Sequence, residues 1–183
     1  MIIVLEQLRN ALEKYEGMAN EEPYRLAMIE LLKEGPLAFS RERLAGHFTA
    51  SAWVIDVSEH KILLLHHAKL NKWLQPGGHA DGEMNTAKVA QKELMEETGL
   101  ELAQPQIAKI FDLDIHLIPE HKGIPAHHHY DLRYLFLLDQ SLSLNRNPES
   151  NRLEWVRIEQ VEKFCAEEPS ILRMVAKSAQ YLT

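Results

Sequence analysis

Three carboxylates, Glu93, Glu96 and Glu97, fall at i, i+3 and i+4 in the run Lys92-Glu93-Leu94-Met95-Glu96-Glu97-Thr98-Gly99. That spacing sets them on one arc of a helix, where like charges repel. They also precede Gly99, a C-cap residue, and so sit at the negative end of the helix dipole, where each carboxylate is disfavoured by roughly 0.3–1 kcal/mol. A chain that keeps such a cluster needs either full solvation or a cation. Salt bridges to Lys88 or Lys92 would satisfy an ordinary surface helix. The glycines on both sides (Gly77, Gly78 and Gly82 before it, Gly99 after it) favour the cation. They allow a tight turn and leave backbone groups exposed beside the acids. Hard oxygen donors grouped in this way suit Mg²⁺ or Mn²⁺, which bridge to phosphate oxygens.

A second polar group lies in His127-His128-His129-Tyr130-Asp131-Leu132-Arg133. If this stretch is extended, alternation puts His127, His129, Asp131 and Arg133 on one face. Two histidines and an aspartate could ligate a transition metal such as Zn²⁺, and Arg133 could grip a phosphate; a polar strand at a sheet edge is the plain alternative. His79 follows Gly78 directly and reads equally as a site residue or a loop residue. Trp73 could stack on a base, although a Trp that anchors a loop is the commoner use.

The elements that must position these residues can be read from periodicity. Leu5, Leu8, Leu12 and Tyr15 recur at helical spacing over 2–16. A second helix follows, with Asn20 as the N-cap expected and Pro23 in its first turn, and Gly35-Pro36 stops it. Residues 1–45 therefore form a helical extension with nothing catalytic in it, and 46–183 form the remaining domain. In that domain the β-formers of 47–57, a turn, and Ile62-Leu63-Leu64-Leu65 predict a hairpin. Residues 69–82 read as a polar, Gly-rich loop that delivers the chain to a helix over 85–98, with Ala87, Ala90 and Leu94 on its apolar stripe. Strands are predicted over 107–115, 130–138 and 153–156, with loops at 119–129 and 142–151 and closing helices near 158–167 and 170–182.

The chain of 183 residues is 45% hydrophobic and 26% charged, with net charge −7. That composition buries a core and gives no electrostatic footprint for a nucleic-acid polymer or an anionic membrane. A small phosphorylated ligand stays compatible with it, because bound metal ions supply positive charge locally. One cysteine, Cys165, excludes an intrachain disulfide and fits a reducing compartment. Met1 to Leu5 is apolar but is interrupted by Glu6 and Arg9, too short for a signal peptide or a membrane span, so a cytoplasmic location is expected. The exposed side of the first helix could pair two chains as a homodimer.

The acidic helix with its flanking glycines resembles the Nudix box, G-x5-E-x7-R-E-U-x-E-E-x-G-U with U a bulky aliphatic residue. The match spans Gly78–Leu100, 23 residues, with Glu93, Leu94, Glu96-Glu97 and Gly99-Leu100 in register. Two positions depart from it. Lys92 stands where the family has Arg, and can act only as a point charge without a bidentate fork. Met84 stands where the family has an early Glu, with Glu83 one residue too soon. The resemblance implies an α/β fold, a Nudix-like α/β/α sandwich with a mixed central sheet, here carrying the N-terminal helical extension. It implies Mg²⁺-dependent hydrolysis of a nucleoside-diphosphate-linked or related diphosphate, by attack of an activated water on phosphorus. Gly78, Glu93, Glu96 and Glu97 would hold the metal, and the same three glutamates would be catalytic, with Glu93 the first choice of general base and Glu149 the second. His79, Glu83, Lys92, His127, His129, Asp131 and Arg133 are the substrate-binding candidates. Two other readings compete: a non-catalytic Nudix-fold module that senses a nucleotide or binds a partner protein, and a zinc enzyme centred on His127, His129 and Asp131.

Overall fold

A computed structural model describes residues 2–105, 109–121, 123–148 and 150–182. The element order is α1 (Ile2–Glu13), α2 (Glu22–Leu31), β1 (Gly46–Asp56), β2 (Lys61–His67), β3 (Lys72–Leu74), β4 (Gly77–His79), α3 (Thr86–Thr98), β5 (Ile110–Ile118), β6 (His127–Leu138), β7 (Ser150–Arg157), α4 (Val161–Cys165) and α5 (Pro169–Ser178). Short 3₁₀ turns precede α2, follow it over Leu32–Phe39, and flank the last two helices.

The sheet is mixed. Its strands run β3-β2-β1-β6-β5, with β4 added to β1 and β7 added to β2. The central pair is parallel, from Gly46↔His128 to Asp56↔Leu138, and the other pairings are antiparallel. Every residue of β1 is buried, as a strand covered on both faces requires. Alternation along β1 divides two apolar layers. Phe48, Ala50, Ala52 and Val54 pack with α1, α2 and α3, including Leu8, Leu12, Met28, Ala87, Ala90 and Leu94. Trp53 and Ile55 pack on the opposite face against Val161, Cys165, Ile171 and Met174 of α4 and α5. The helical extension thus shares a core with the sheet.

Several boundaries differ from the sequence reading, for physical reasons. Asn20 does not cap α2: a 3₁₀ turn over Ala19–Glu21 precedes it, and the Glu21 carboxylate accepts from Met18 N at 2.8 Å. The stretch read as one loop over 69–82 contains β3 and β4. A three-residue Gly-Gly-His strand has no apolar alternation, and only its pairing with Thr49, Ala50 and Ser51 makes it a strand. Likewise His127, His128 and His129 belong to β6 and not to the preceding loop, because His128 and His129 pair with Gly46 and His47 of β1 and His127 pairs with Ile118 of β5. The predicted strand from Ile107 is β5 from Ile110; Ile107 itself lies outside the described residues, as does Glu149. β7 begins at Ser150, earlier than the expected Leu153, through its ladder with β2.

Candidate active site

Helix α3 is fixed at both ends by its sequence. The Asn85 side chain accepts from Lys88 N at 3.2 Å at the N-cap, and Gly99 closes the C-terminus with φ 75°, where its N–H reaches Met95 O at 2.9 Å. With Ala87, Ala90 and Leu94 against the sheet, the glutamate arc turns toward β4. Glu97, 5% exposed, accepts from the Gly77 N–H at 2.9 Å. Glu93 lies against Gly78 so closely that a Cβ there would stand 2.5 Å from its Oε2 and 2.6 Å from its Cδ. Gly78 is therefore required for the close approach of a carboxylate and not for an unusual backbone angle. Glu96 remains more open, with a side chain 47% exposed.

Lys92 stands between two of the acids, with Nζ 2.9 Å from Glu96 Oε2 and 3.4 Å from Glu93 Oε1. It acts as the point charge expected of a lysine in an arginine position. Burial raises the Glu93 pKa even so, the Lys92 charge offsetting only part of that effect. Glu93 is a carboxylate short of positive charge, and a divalent cation on these oxygens fits it. Glu83 turns toward the start of α3, accepting from Asn85 N at 3.0 Å and pairing with Lys88 Nζ at 2.8 Å. Met84 packs against the main apolar core, which accounts for a thioether where the motif has an acid. Asp81, in a left-handed turn at φ 49°, forms a two-pronged ion pair with Arg41 at the same loop. Sequence reasoning passed over both. Arg41 belongs to the extension and no spacing links it to the motif, although an Asp in a Gly-rich turn was a signal for Asp81.

The polar face of β6 is as the alternation predicts, but its residues divide into two groups. Arg133, 2% exposed, is enclosed by carboxylates: Nε to Asp131 at 2.9 Å, Nη1 to Asp112 at 3.1 Å and Nη2 to Asp114 at 3.1 Å. Asp131 also accepts from Thr49 Oγ1 at 3.0 Å and Ser51 Oγ at 2.8 Å. Arg173 and Lys177 of α5 continue the network onto Asp112, and Lys177 reaches Glu21 of the extension at 2.5 Å. These ions join β5, β6, α5 and the N-terminal turn. The reading of Arg133 as a phosphate grip is corrected on this ground, since its donors are engaged inside the fold. The competing reading of a His127, His129 and Asp131 metal triad is corrected too: Asp131 belongs to the ion network, and the neighbours of His127 and His129 are His47 and His79. Trp73 packs edge-on to Phe164 at 5.2 Å between ring centres, an anchoring contact.

A mixed sheet between helical layers, with a glycine strand feeding an acidic helix, defines the α/β class of this protein. Solved structures share that fold. One is a MutT protein from Methanosarcina mazei Go1 (15% identity, TM-score 0.60, covering 74% of this chain and 94% of that one). Others are the E. coli dihydroneopterin triphosphate pyrophosphohydrolase (11%, TM-score 0.56, 69% and 91%) and a NUDIX-family hydrolase from Clostridium perfringens (22%, TM-score 0.55, 72% and 95%). A family model for the NUDIX domain matches residues 47–175. The chain belongs to the Nudix family. It is also 31% identical over 94 residues to Phosphatase NudJ of Shigella boydii, half of this chain and 55% of that one. The chain thus spans about half the length of the curated relatives it matches.

Proposed function

We propose that this protein is a Mg²⁺-dependent Nudix pyrophosphohydrolase acting on a small nucleoside-diphosphate-linked or related diphosphate compound. The observation that carries the proposal is the seating of Glu93 on Gly78 and of Glu97 on the Gly77 N–H, which holds two carboxylates on a rigid helix against a glycine strand. Membership of the family and the similarity to a phosphatase support it.

Glu93, Glu96 and Glu97, with a backbone group of Gly78, would hold the metal, and Mn²⁺ could replace Mg²⁺ there. When bound, the dication neutralises charge on the diphosphate and acidifies a water. Glu93 is suited to accept a proton from the attacking water, because burial already raises its affinity for one. Lys92 balances Glu93 and Glu96 and limits their mutual repulsion. Glu97, nearly closed off from solvent, fixes the strand-to-helix geometry by its hydrogen bond to Gly77. Arg41 with Asp81 stands beside the glutamates, at the turn between β4 and α3, and is a candidate substrate contact. Positioning and charge stabilisation then account for the chemistry, as for phosphoryl transfer generally. A cytoplasmic location, and pairing of two chains through the exposed Ile2 and Ile3 of α1, are part of the same proposal. Among the described residues no helix is long and apolar enough to cross a membrane.

The test is a screen of nucleoside triphosphates, sugar nucleotides, dinucleoside polyphosphates and simpler diphosphates, with Mg²⁺ and with EDTA. Turnover of at least one class, abolished by EDTA, is expected. Ligand binding without turnover across the whole panel would overturn the enzyme reading in favour of a sensing module.

A further inference from the structure

The sheet face opposite α3 carries a graded set of side chains. Trp53 and Leu135 lie under α4 and α5, the Asp131–Arg133–Asp112 network follows, and at the far end of the same strands stand four histidines. They come from three strands. His47 opens β1, His127 and His129 open β6, and His79 ends β4. The ladders set His47 opposite His129 and Thr49 opposite His79, so alternation sends these side chains to one face. Gly78, the preceding residue on β4, faces Glu93 on the other side.

One ring nitrogen from each of the four lies within 4.8 Å of the others. The His47 ring is 5.2 Å from those of His79 and His129 and 5.3 Å from that of His127, and His79 and His129 are 4.7 Å apart. Their hydrogen bonds decide which nitrogens carry protons. His47 Nδ1 faces the Arg43 carbonyl at 3.4 Å and His127 Nδ1 faces the Pro125 carbonyl at 2.8 Å. A carbonyl only accepts, so each Nδ1 is a donor and Nε2 is the nitrogen left for a metal. His47 is 2% exposed, and its Nε2, like that of His129, is buried without a hydrogen-bond partner. Buried polar atoms left in this state are costly, and a metal ion would satisfy them. The backbone carbonyls on the far ring nitrogens are the partners that orient histidines on a metal.

We propose that His47, His79, His127 and His129 form a binding site for a transition-metal dication of the zinc class, separate from the glutamate site on the other side of β4. Imidazole nitrogens select Zn²⁺, Co²⁺, Ni²⁺ or Fe²⁺ over Mg²⁺. A tetrahedral zinc with Zn–N of about 2.0–2.1 Å holds its nitrogens roughly 3.3 Å apart, so side-chain rotations that draw the rings in by about 1–1.5 Å complete the site. Bound there, the ion ties β1, β4 and β6 together one residue from Gly78 and so holds the strand on which Glu93 and Glu97 rest. The Mg²⁺-dependent reading of the glutamates is not needed for this inference.

The test uses the full chain expressed without a histidine tag and treated with EDTA. It is titrated with Co²⁺, whose visible absorption reports a tetrahedral nitrogen site, and separately with Zn²⁺ followed by dialysis and elemental analysis. The expected result is one equivalent of either metal per chain and a higher Tm with zinc. Affinity should fall at least ten-fold in His129→Gln and in His127→Gln and be unchanged in Glu97→Gln. Circular dichroism verifies that each variant is folded, and the wild-type stoichiometry stands without them. Less than a tenth of an equivalent of zinc on wild-type protein, with no tetrahedral Co²⁺ band, would overturn the proposal. So would zinc lost in Glu97→Gln and kept in both histidine variants.

Discussion

Replacing Gly78 by alanine separates the functional role of the glycine strand from its structural role. The added Cβ would stand 2.5 Å from Glu93 Oε2, 2.6 Å from its Cδ and 3.0 Å from its Oε1. Ordinary van der Waals contact for such pairs is about 3.4–4 Å, so the carboxylate must retreat by roughly 1 Å. It is the far end of a flexible side chain and can do so cheaply. Alanine also loses less chain entropy than glycine on folding, about 0.4–1 kcal/mol in its favour where the backbone tolerates it. Stability should therefore change by less than about 1 kcal/mol. A metal-binding carboxylate displaced by 1 Å costs on the order of 10²-fold in rate. The neighbouring Gly77→Ala is the control: its Cβ would meet Ser51 Cα at 2.8 Å and Ala50 O at 2.9 Å, backbone of the central strand that cannot yield. Overpacking there should cost about 1–3 kcal/mol. Urea denaturation and steady-state kinetics on both variants check the pair. Gly78→Ala with full activity, or with a stability loss equal to that of Gly77→Ala, would refute the assignment of Glu93 to the metal.

The buried ions make further predictions. Arg133→Met leaves Asp112, Asp114 and Asp131 with only part of their positive charge and should destabilise the fold by roughly 3–5 kcal/mol in urea denaturation. The Asp114 pKa is depressed from 3.8 to about 2: burial raises it, but the His116 hydrogen bond and the charge of Arg133 outweigh that. A depressed carboxylate stabilises the fold fully above its unfolded pKa. About 2 kcal/mol from Asp114 should therefore be lost as pH falls from 4 to 2, and an acid titration of Arg133→Met should show a shallower dependence. Trp53 Nε1 donates to Ser178 Oγ at 2.8 Å with both residues fully buried, so Ser178→Ala should cost about 1–3 kcal/mol in thermal unfolding.

The placing of the three glutamates was legible because their spacing and their local structure share one stretch of chain. The spacing of Glu93, Glu96 and Glu97 and the glycine cap on α3 are both local signals, and the apolar stripe of Ala87, Ala90 and Leu94 fixed which way the acids point. Long strands with β-branched and aromatic residues, such as β1, were equally readable. What could not be read was set by pairing between distant segments. β4 exists because Gly77-Gly78-His79 docks on β1. His47 gave no signal within its own stretch, and it joins His127 and His129 only through the parallel ladder of β1 and β6. Arg133 and Asp131 were seen as polar residues on one face, but their partners Asp112 and Arg173 lie on β5 and α5, and only that enclosure turns a candidate ligand contact into a structural ion network. Asn20 failed as a cap because it lies inside the 3₁₀ turn that precedes α2, a turn held by the fully buried Glu21, whose carboxylate accepts from Met18 N at 2.8 Å and Leu113 N at 3.0 Å.

Glu93, Glu96 and Glu97 are proposed to hold a dication that drives hydrolysis of a diphosphate. The most direct measurement is the Mg²⁺ dependence of turnover for the wild type and Glu97→Gln, on whichever diphosphate the screen identifies. Glutamine preserves an oxygen acceptor for the Gly77 N–H and removes the charge. A saturable rise with Mg²⁺ in the wild type, and a loss of kcat of about 10²-fold or more in a variant of unchanged stability, is the result expected. Turnover that persists in EDTA, or that is equal in the two proteins, would contradict it.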